Sequence, residues 1–222
     1  MASAAQASDS SLAIRDLGLA EYRDVLALQR QLAENRRSGT CGDTVLIVEH
    51  PPVITLGARQ SANKLLVDAE ALRQSGVDVV AIRRGGGTTA HNPGQLVFYP
   101  ILGLERLGLS VTEYVRTLET IGIALLADLG LDSERKKGLP GLWVEQRKIA
   151  SIGVRVSRFV TYHGMAINIQ NDLRLFDVMI PCGLDGVEMT SVQKETGRTC
   201  DMTSAKERLA ELLRRHFDRG QR

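Results

Sequence analysis

Residues 180–184 read Ile-Pro-Cys-Gly-Leu, which places a cysteine between the two residues that most constrain and most free a backbone. A thiol attacks as its thiolate, and a nearby cation lowers its pKa. Lys148 and His163 are the two candidates for that role beside Cys182. The alternative for Cys182 is a small buried hydrophobe. Lys148 follows Arg147 at the edge of an apolar run, so it is either a solvated lysine or one whose chain points into a functional loop. Cys41 and Cys200 have no comparable setting and read as structural.

A second chemical stretch is residues 83–100, RRGGGTTAHNPGQLVFYP. A glycine run between two extended segments lets backbone N–H groups approach a ligand, because no Cβ intervenes. Successive N–H groups in such a loop form a nest for an anion or a carbonyl. A plain hairpin needs only a few loop residues. The Gly-Lys-Ser/Thr ending of a phosphate-binding P-loop is absent. A strand, not a helix, is expected to follow, which speaks against a dinucleotide fingerprint. His91 and His163 sit near glycine in apolar surroundings, where a hydrogen-bonded structural histidine is commoner than a catalyst.

Other chemistries are excluded by pattern. There is no His-Glu-x-x-His pair and no cysteine/histidine quartet, so no metal is expected. The Gly-x-Ser-x-Gly elbow of serine hydrolases is missing. A net charge of +2 over 222 residues argues against a nucleic-acid binder. No apolar run approaches a membrane span. Three cysteines do not make a disulfide framework, and the opening residues lack a secretion signal, so a reducing, cytoplasmic setting is expected.

The elements that must position these residues follow from periodicity. Residues 21–35 form an amphipathic helix ending near Gly39. Residues 44–49 and 53–56 read as strands, 68–74 as a short helix closed by Gly76, and 77–82 as the strand entering the glycine loop. A strand at 96–99 leaves that loop. Ser110 and Glu113 make a capping box for a long helix ending at Gly130. Residues 135–138 read as a charged turn. Residues 142–145 and 149–156 form a hairpin around Gln146-Arg147. Residues 160–169 form a strand whose Gly164 implies a bulge or a close backbone approach. Residues 172–176 form a helical turn. A helix over 203–217 is capped through Ser204 and Glu207. The expected class is mixed α/β of the α+β type, with residues 1–12 a tail and 13–222 a single domain.

Four stretches together resemble the lipoyl(octanoyl) transferases: RGGGTTAHNPGQ at 84–95, QRKIASIG at 146–153, TYHGMAIN at 161–168 and IPCGL at 180–184. Their order and spacing span about residues 44 to 192. The resemblance implies the fold of biotin and lipoate protein ligases, a mixed sheet packed with helices. It implies that Cys182 takes an octanoyl group from the phosphopantetheine thioester of acyl carrier protein, with Lys148 lowering the thiol pKa and moving protons. It further implies that Arg84, Gly85, Gly86, Gly87, Thr88, Thr89, Ala90, His91, Ser151, Ile152, Gly153, Gly164, Met165 and Ala166 line the acyl and carbonyl site, with Tyr99 and His163 as secondary candidates. The acceptor would be a lysine on a lipoyl domain of a 2-oxoacid dehydrogenase or on the glycine-cleavage carrier protein. No cofactor, nucleic acid or membrane is implied. Ala90 stands where that family usually has an aromatic residue, Asn92 replaces a glycine and Thr88 an aliphatic residue. If residue 90 lines the acyl slot, decanoyl donors should serve nearly as well as octanoyl ones. The competing readings are an ATP-dependent lipoate or biotin ligase, which needs no nucleophilic cysteine, and a non-catalytic module that binds an acyl group or a carrier protein.

Overall fold

The computed structural model describes residues 11–183 and 186–218, with the side chain of Cys182 outside the described residues. In chain order the elements are β1 (Ala13–Leu19), α1 (Tyr22–Arg37), β2 (Thr44–Glu49), β3 (Val53–Leu56), β4 (Lys64–Leu65), α2 (Ala69–Gln74), β5 (Asp78–Ala81), β6 (Thr89–His91), β7 (Gln95–Ile101), α3 (Leu104–Leu107), α4 (Val111–Asp128), β8 (Glu134–Lys136), β9 (Leu139–Val144), β10 (Arg147–Ser157), β11 (Val160–Asn168), β12 (Met179–Ile180), α5 (Val192–Thr196) and α6 (Met202–Phe217). Seven strands form the main sheet in the order β1-β2-β7-β11-β10-β9-β8. Only its β1–β2 pair is parallel. A three-stranded sheet, β5-β3-β6, and the pair β12-β4 stand beside it.

The main sheet is buried on both faces at its centre, and the period of two shows why β2 and β7 are nearly continuous apolar runs. Val45 and Ile47 of β2, with Leu96 and Phe98 of β7, face the helices α4 and α6. The intervening Leu46, Val48, Val97, Tyr99 and Ile101 face α1. Helix α1 buries Tyr22, Val25, Leu26, Gln29, Leu32 and Ala33 at helical spacing. Helix α4 starts with the expected capping box, Ser110 accepting from the Glu113 N–H and Glu113 accepting from the Ser110 N–H. Truncating a core side chain such as Phe98 would cost about 3–5 kcal/mol. None of the described helices is long and apolar enough to cross a membrane.

Several expectations need correction. The strand β1 is not apparent from the sequence, because it is an edge strand, half exposed and carrying Arg15 and Asp16. Leu12, expected in the tail, is buried in the core; residues 1–10 lie outside the described residues. The expected charged turn at 135–138 begins as strand β8, where Arg135 pairs with Glu119 on α4. Helix α6 is capped by Asp201, which accepts from the Thr203 N–H, and not through Ser204; the Ser204 hydroxyl donates to Asp201. Part of the glycine loop is itself a strand, β6.

Candidate active site

The site lies where the small sheet meets the main one. Its floor is the pairing of β10 with β11, which sets Ser151 opposite Ala166, Ile152 opposite Met165 and Gly153 opposite Gly164. The two paired glycines have different reasons to be glycine. A Cβ on Gly153 would lie 2.7 Å from Cδ of Arg84, and a Cβ on Gly164 would lie 2.1 Å from the carbonyl oxygen of Phe98. The first lets Arg84 cross the sheet; the second lets β7 and β11 approach. This is the close approach expected at Gly164.

Arg84 is buried and holds the glycine loop down. Its guanidinium donates to the Thr55 carbonyl (3.0 Å), the Thr55 hydroxyl (2.8 Å) and the Gly85 carbonyl (3.0 Å). The loop is tied to β10 by the Gly85 N–H, which donates to the Val154 carbonyl at 2.9 Å. A narrow cavity of about 30 Å³ results, room for roughly two water-sized spheres. It is lined by Tyr22, Arg84, Gly86, Thr89, His91, Val97, Tyr99, Ser151, Ile152, Gly153, His163, Gly164, Met165 and Ala166.

Most of the residues expected at the site therefore do meet there, including Tyr99 and His163. Gly85, Gly87, Thr88 and Ala90 do not line the cavity. Alternation along β6 explains Ala90: Thr89 and His91 face the cavity, while Ala90 packs on the other side with Ile54, Phe176, Met179 and Met189. The expectation that residue 90 shapes an acyl slot is thus not met. Thr88 instead accepts from the Lys64 N–H at 3.1 Å. Tyr22 and Val97 were missed, since each reads in sequence as a helix or strand core position.

Two buried histidines, His91 and His163, line this cavity, and a third, His50, packs behind His91 and Tyr99. Burial pushes the pKa of His50 down to about 4. Burial, then the neighbouring His50, pushes His91 down to about 3. Burial, then the charge of Arg84, pushes His163 down to about 3. Burial raises Tyr22 to about 12. His50 Nδ1 lies 2.8 Å from the Ala20 carbonyl, so Nδ1 carries the proton and Nε2 accepts from the Tyr99 hydroxyl at 2.8 Å. His91 stacks on Tyr22 with ring centroids 5.7 Å apart. Two cavity atoms, Nδ1 of His163 and the Thr89 hydroxyl, are buried without a hydrogen-bond partner among the described residues. Such atoms are rare in folded proteins and suit a ligand's polar group.

Of the two readings of Lys148, the structure rules out the solvated one: it is 1% exposed. Its Nζ donates to the Pro140 carbonyl at 3.0 Å and lies 5.3 Å from the centre of the Trp143 ring. Its backbone N–H donates to the Glu188 carbonyl at 2.8 Å, and its carbonyl accepts from the Thr190 N–H at 2.9 Å. The lysine strand is therefore stitched to the segment that follows the cysteine.

The backbone of Cys182 lies in a 3₁₀ turn, Pro181–Gly183, directly after β12. Ile180 of β12 pairs with Lys64, whose N–H reaches Thr88 of the glycine loop. A Cβ on Gly183 would lie 2.7 Å from the Ala62 Cβ, and one on Gly87 would lie 2.2 Å from the Ala62 carbonyl oxygen. Ala62 is thus pressed between the cysteine turn and the glycine loop. The expected nucleophile turn and the glycine loop thus meet at Ala62, while the lysine strand is bonded to residues 188 and 190 beyond that turn; the Cys182 side chain itself lies outside the described residues.

Residues 21–214 match the lipoyl protein ligase A/B catalytic domain. The chain is similar to the octanoyltransferase of Roseiflexus sp. (strain RS-1), 47% identical over 211 residues, 94% of this chain and 88% of that one. It is also similar to the octanoyltransferase of Syntrophobacter fumaroxidans, 43% identical over 92% of this chain and 90% of that one. In fold it is similar to the bi-partite lipoate protein ligase of Thermoplasma acidophilum, with a TM-score of 0.69 at 15% identity, covering 94% and 83% of the two chains. The biotin protein ligase of Aquifex aeolicus, solved with biotin and ATP, gives a TM-score of 0.53 at 14% identity over 94% and 72%.

Proposed function

This chain belongs to the lipoyl protein ligase A/B catalytic domain family and, within it, to the octanoyltransferases, and on that premise we propose that it moves an octanoyl group from a carrier-bound thioester to a protein lysine through an acyl-enzyme at Cys182. Thiolate of Cys182 attacks the thioester carbonyl, and the carrier's thiol leaves with a proton. The amine of the acceptor lysine then attacks the enzyme thioester. An amide forms, and the cysteine thiol is regenerated. No ATP is needed, because an amide is more stable than a thioester. The donor is octanoyl-acyl carrier protein, and the acceptors are lipoyl domains of 2-oxoacid dehydrogenases and the glycine-cleavage carrier protein.

The observation that carries this reading is the burial of Lys148 on a strand bonded to residues 188 and 190, a few positions past the cysteine turn. A buried ammonium beside a thiol favours the thiolate. It also gives a proton donor for the leaving thiol. Backbone N–H groups of the glycine loop or of the cysteine turn supply the oxyanion donors. The cavity between β6, β10 and β11 takes the acyl chain, each methylene gaining about 0.8 kcal/mol on burial. Its small volume means that Met165, a flexible side chain, turns aside to admit the chain.

The fold is shared with ATP-dependent ligases, so the decisive assay offers both donors. Octanoyl carrier protein without nucleotide should octanoylate a lipoyl domain. Free octanoate with ATP and magnesium should not. Transfer from the free acid alone would replace this reading with the ligase one.

A further inference from the structure

Gln95 and Asn168 belong to the motifs of the glycine loop and of β11, yet neither lines the cavity nor carries a role in the transfer. Both are almost fully buried, at 2% and 1% exposure. They form the middle of a hydrogen-bond chain whose direction is fixed at one end by a backbone carbonyl. An Asn168 amide atom lies 2.9 Å from the Thr190 carbonyl oxygen, which only accepts, so that atom is the NH₂ group. The Asn168 oxygen then faces Gln95 at 2.8 Å and Asn171 Nδ2 at 3.4 Å. The Gln95 atom facing it is also 3.2 Å from the Ala90 carbonyl oxygen. With acceptors on both sides, that atom is the Gln95 NH₂ group. The Gln95 oxygen is therefore the atom 2.7 Å from His91 Nδ1, and it accepts. Two backbone carbonyls, Thr190 and Ala90, thus impose one orientation on both amides.

We propose that Gln95 and Asn168 are positioning residues that lock His91 as its Nδ1–H tautomer, so that His91 offers the cavity a lone pair at Nε2 and no proton. Burial keeps the ring neutral at physiological pH, with a pKa of about 3, so a second proton does not arrive. A group that meets His91 must then bring an N–H or O–H. Resting on the function proposed above, that excludes the thioester carbonyl and its oxyanion as partners. It admits the amine of the acceptor lysine or an amide N–H of the donor arm. The chain also reaches the strand that carries Lys148, because the N–H of Thr190 donates to the Lys148 carbonyl. One buried network therefore sets the chemistry of the cavity wall and the seat of the lysine.

The test is a long-range ¹H–¹⁵N correlation spectrum of the ¹⁵N-labelled full chain, whose four histidines are few enough to resolve. His91 is assigned by the loss of its signals in His91→Gln. In the wild type, His91 should show a pyrrole-type Nδ1 and a pyridine-type Nε2, unchanged from pH 6 to 8. Gln95→Leu, which removes the acceptor for Nδ1–H, should move the proton wholly or partly to Nε2. An Nε2–H or imidazolium pattern in the wild type overturns the proposal, as does an unchanged pattern in folded Gln95→Leu. If Gln95→Leu does not fold, the wild-type spectrum alone decides. The measurement needs no substrate, so a Nδ1–H tautomer in a protein that transfers no octanoyl group would refute the proposed function and leave this inference standing.

Discussion

Gly164→Ala isolates the contact that lets β7 approach β11, one of the two strands of the cavity floor. The added Cβ would sit 2.1 Å from the Phe98 carbonyl oxygen, 2.9 Å from the Pro100 Cδ and 3.1 Å from the Phe98 carbonyl carbon. Carbon–oxygen contacts between strands settle near 3.3–3.6 Å, so the two strands must part by about 1 Å. The obstacle is backbone, which has no rotamer to give. Overpacking costs about 1–3 kcal/mol. One or two ladder hydrogen bonds stretched between Met165 and Phe98, at about 1 kcal/mol each, bring the expected loss to about 2–5 kcal/mol. For a chain of this size that lowers Tm by roughly 4–20 °C. Gly85→Ala is the control, since its nearest atom, the Val154 carbonyl oxygen, lies at 3.4 Å, an ordinary contact. It should melt within about 2 °C of the wild type. Thermal unfolding followed by circular dichroism compares the three proteins. A Gly164→Ala variant that melts with the wild type would refute the claim that this glycine is required by packing.

The buried histidines predict an acid limb of stability. Their folded pKa values lie below the unfolded 6.5, so the unfolded chain takes up protons first as pH falls; stability is full above about pH 6.5 and is lost toward pH 4. With His50, His91 and His163 all contributing, the slope approaches about 4 kcal/mol per pH unit, and urea midpoints at pH 7, 6 and 5 should fall accordingly, less steeply in His91→Gln. A flat profile over that range would show that these groups titrate normally. Met165→Ala, which widens the slot, should shift donor preference toward longer acyl chains by up to about fourfold per methylene, whereas Ala90→Tyr should destabilise the fold by about 1–3 kcal/mol without changing chain preference, as read by competition between octanoyl and decanoyl carrier proteins. Glu119 takes the Gly141 N–H at 3.4 Å and the Arg135 guanidinium at 3.0 Å, bracing the segment whose Pro140 carbonyl holds Lys148. Glu119→Ala should cost about 1–3 kcal/mol by leaving that N–H unpaired and should slow transfer; unchanged kinetics would detach Glu119 from the seat of Lys148.

The sequence made the central strands, α4 and the hairpin of β9 with β10 readable because hydrophobic period and capping chemistry agree there. The glycine loop and the cysteine turn stood out by composition. What it hid were features that depend on a partner. The strand β1 becomes a strand only by pairing with β2. The face presented by Ala90 depends on β6 being a strand at all, which three residues inside a glycine-rich loop do not announce. Lys148 looks solvated beside Arg147, and its burial comes from Trp143, Pro140 and residues 188–190, distant in sequence or across a hairpin. Tyr22 reads as one more apolar position on α1, since nothing local marks that its ring will stack on His91.

The central claim is that Cys182 carries the acyl group. Intact-mass spectrometry of the protein after brief mixing with octanoyl carrier protein, without an acceptor, tests it directly. The wild type should gain the mass of one octanoyl group, labile to hydroxylamine as a thioester is, and lose it when a lipoyl domain is added. Cys41→Ser and Cys200→Ser should behave as the wild type, and Cys182→Ser should gain no thioester-bound octanoyl group. An octanoyl thioester that persists in Cys182→Ser and maps to Cys41 or Cys200 would contradict the account.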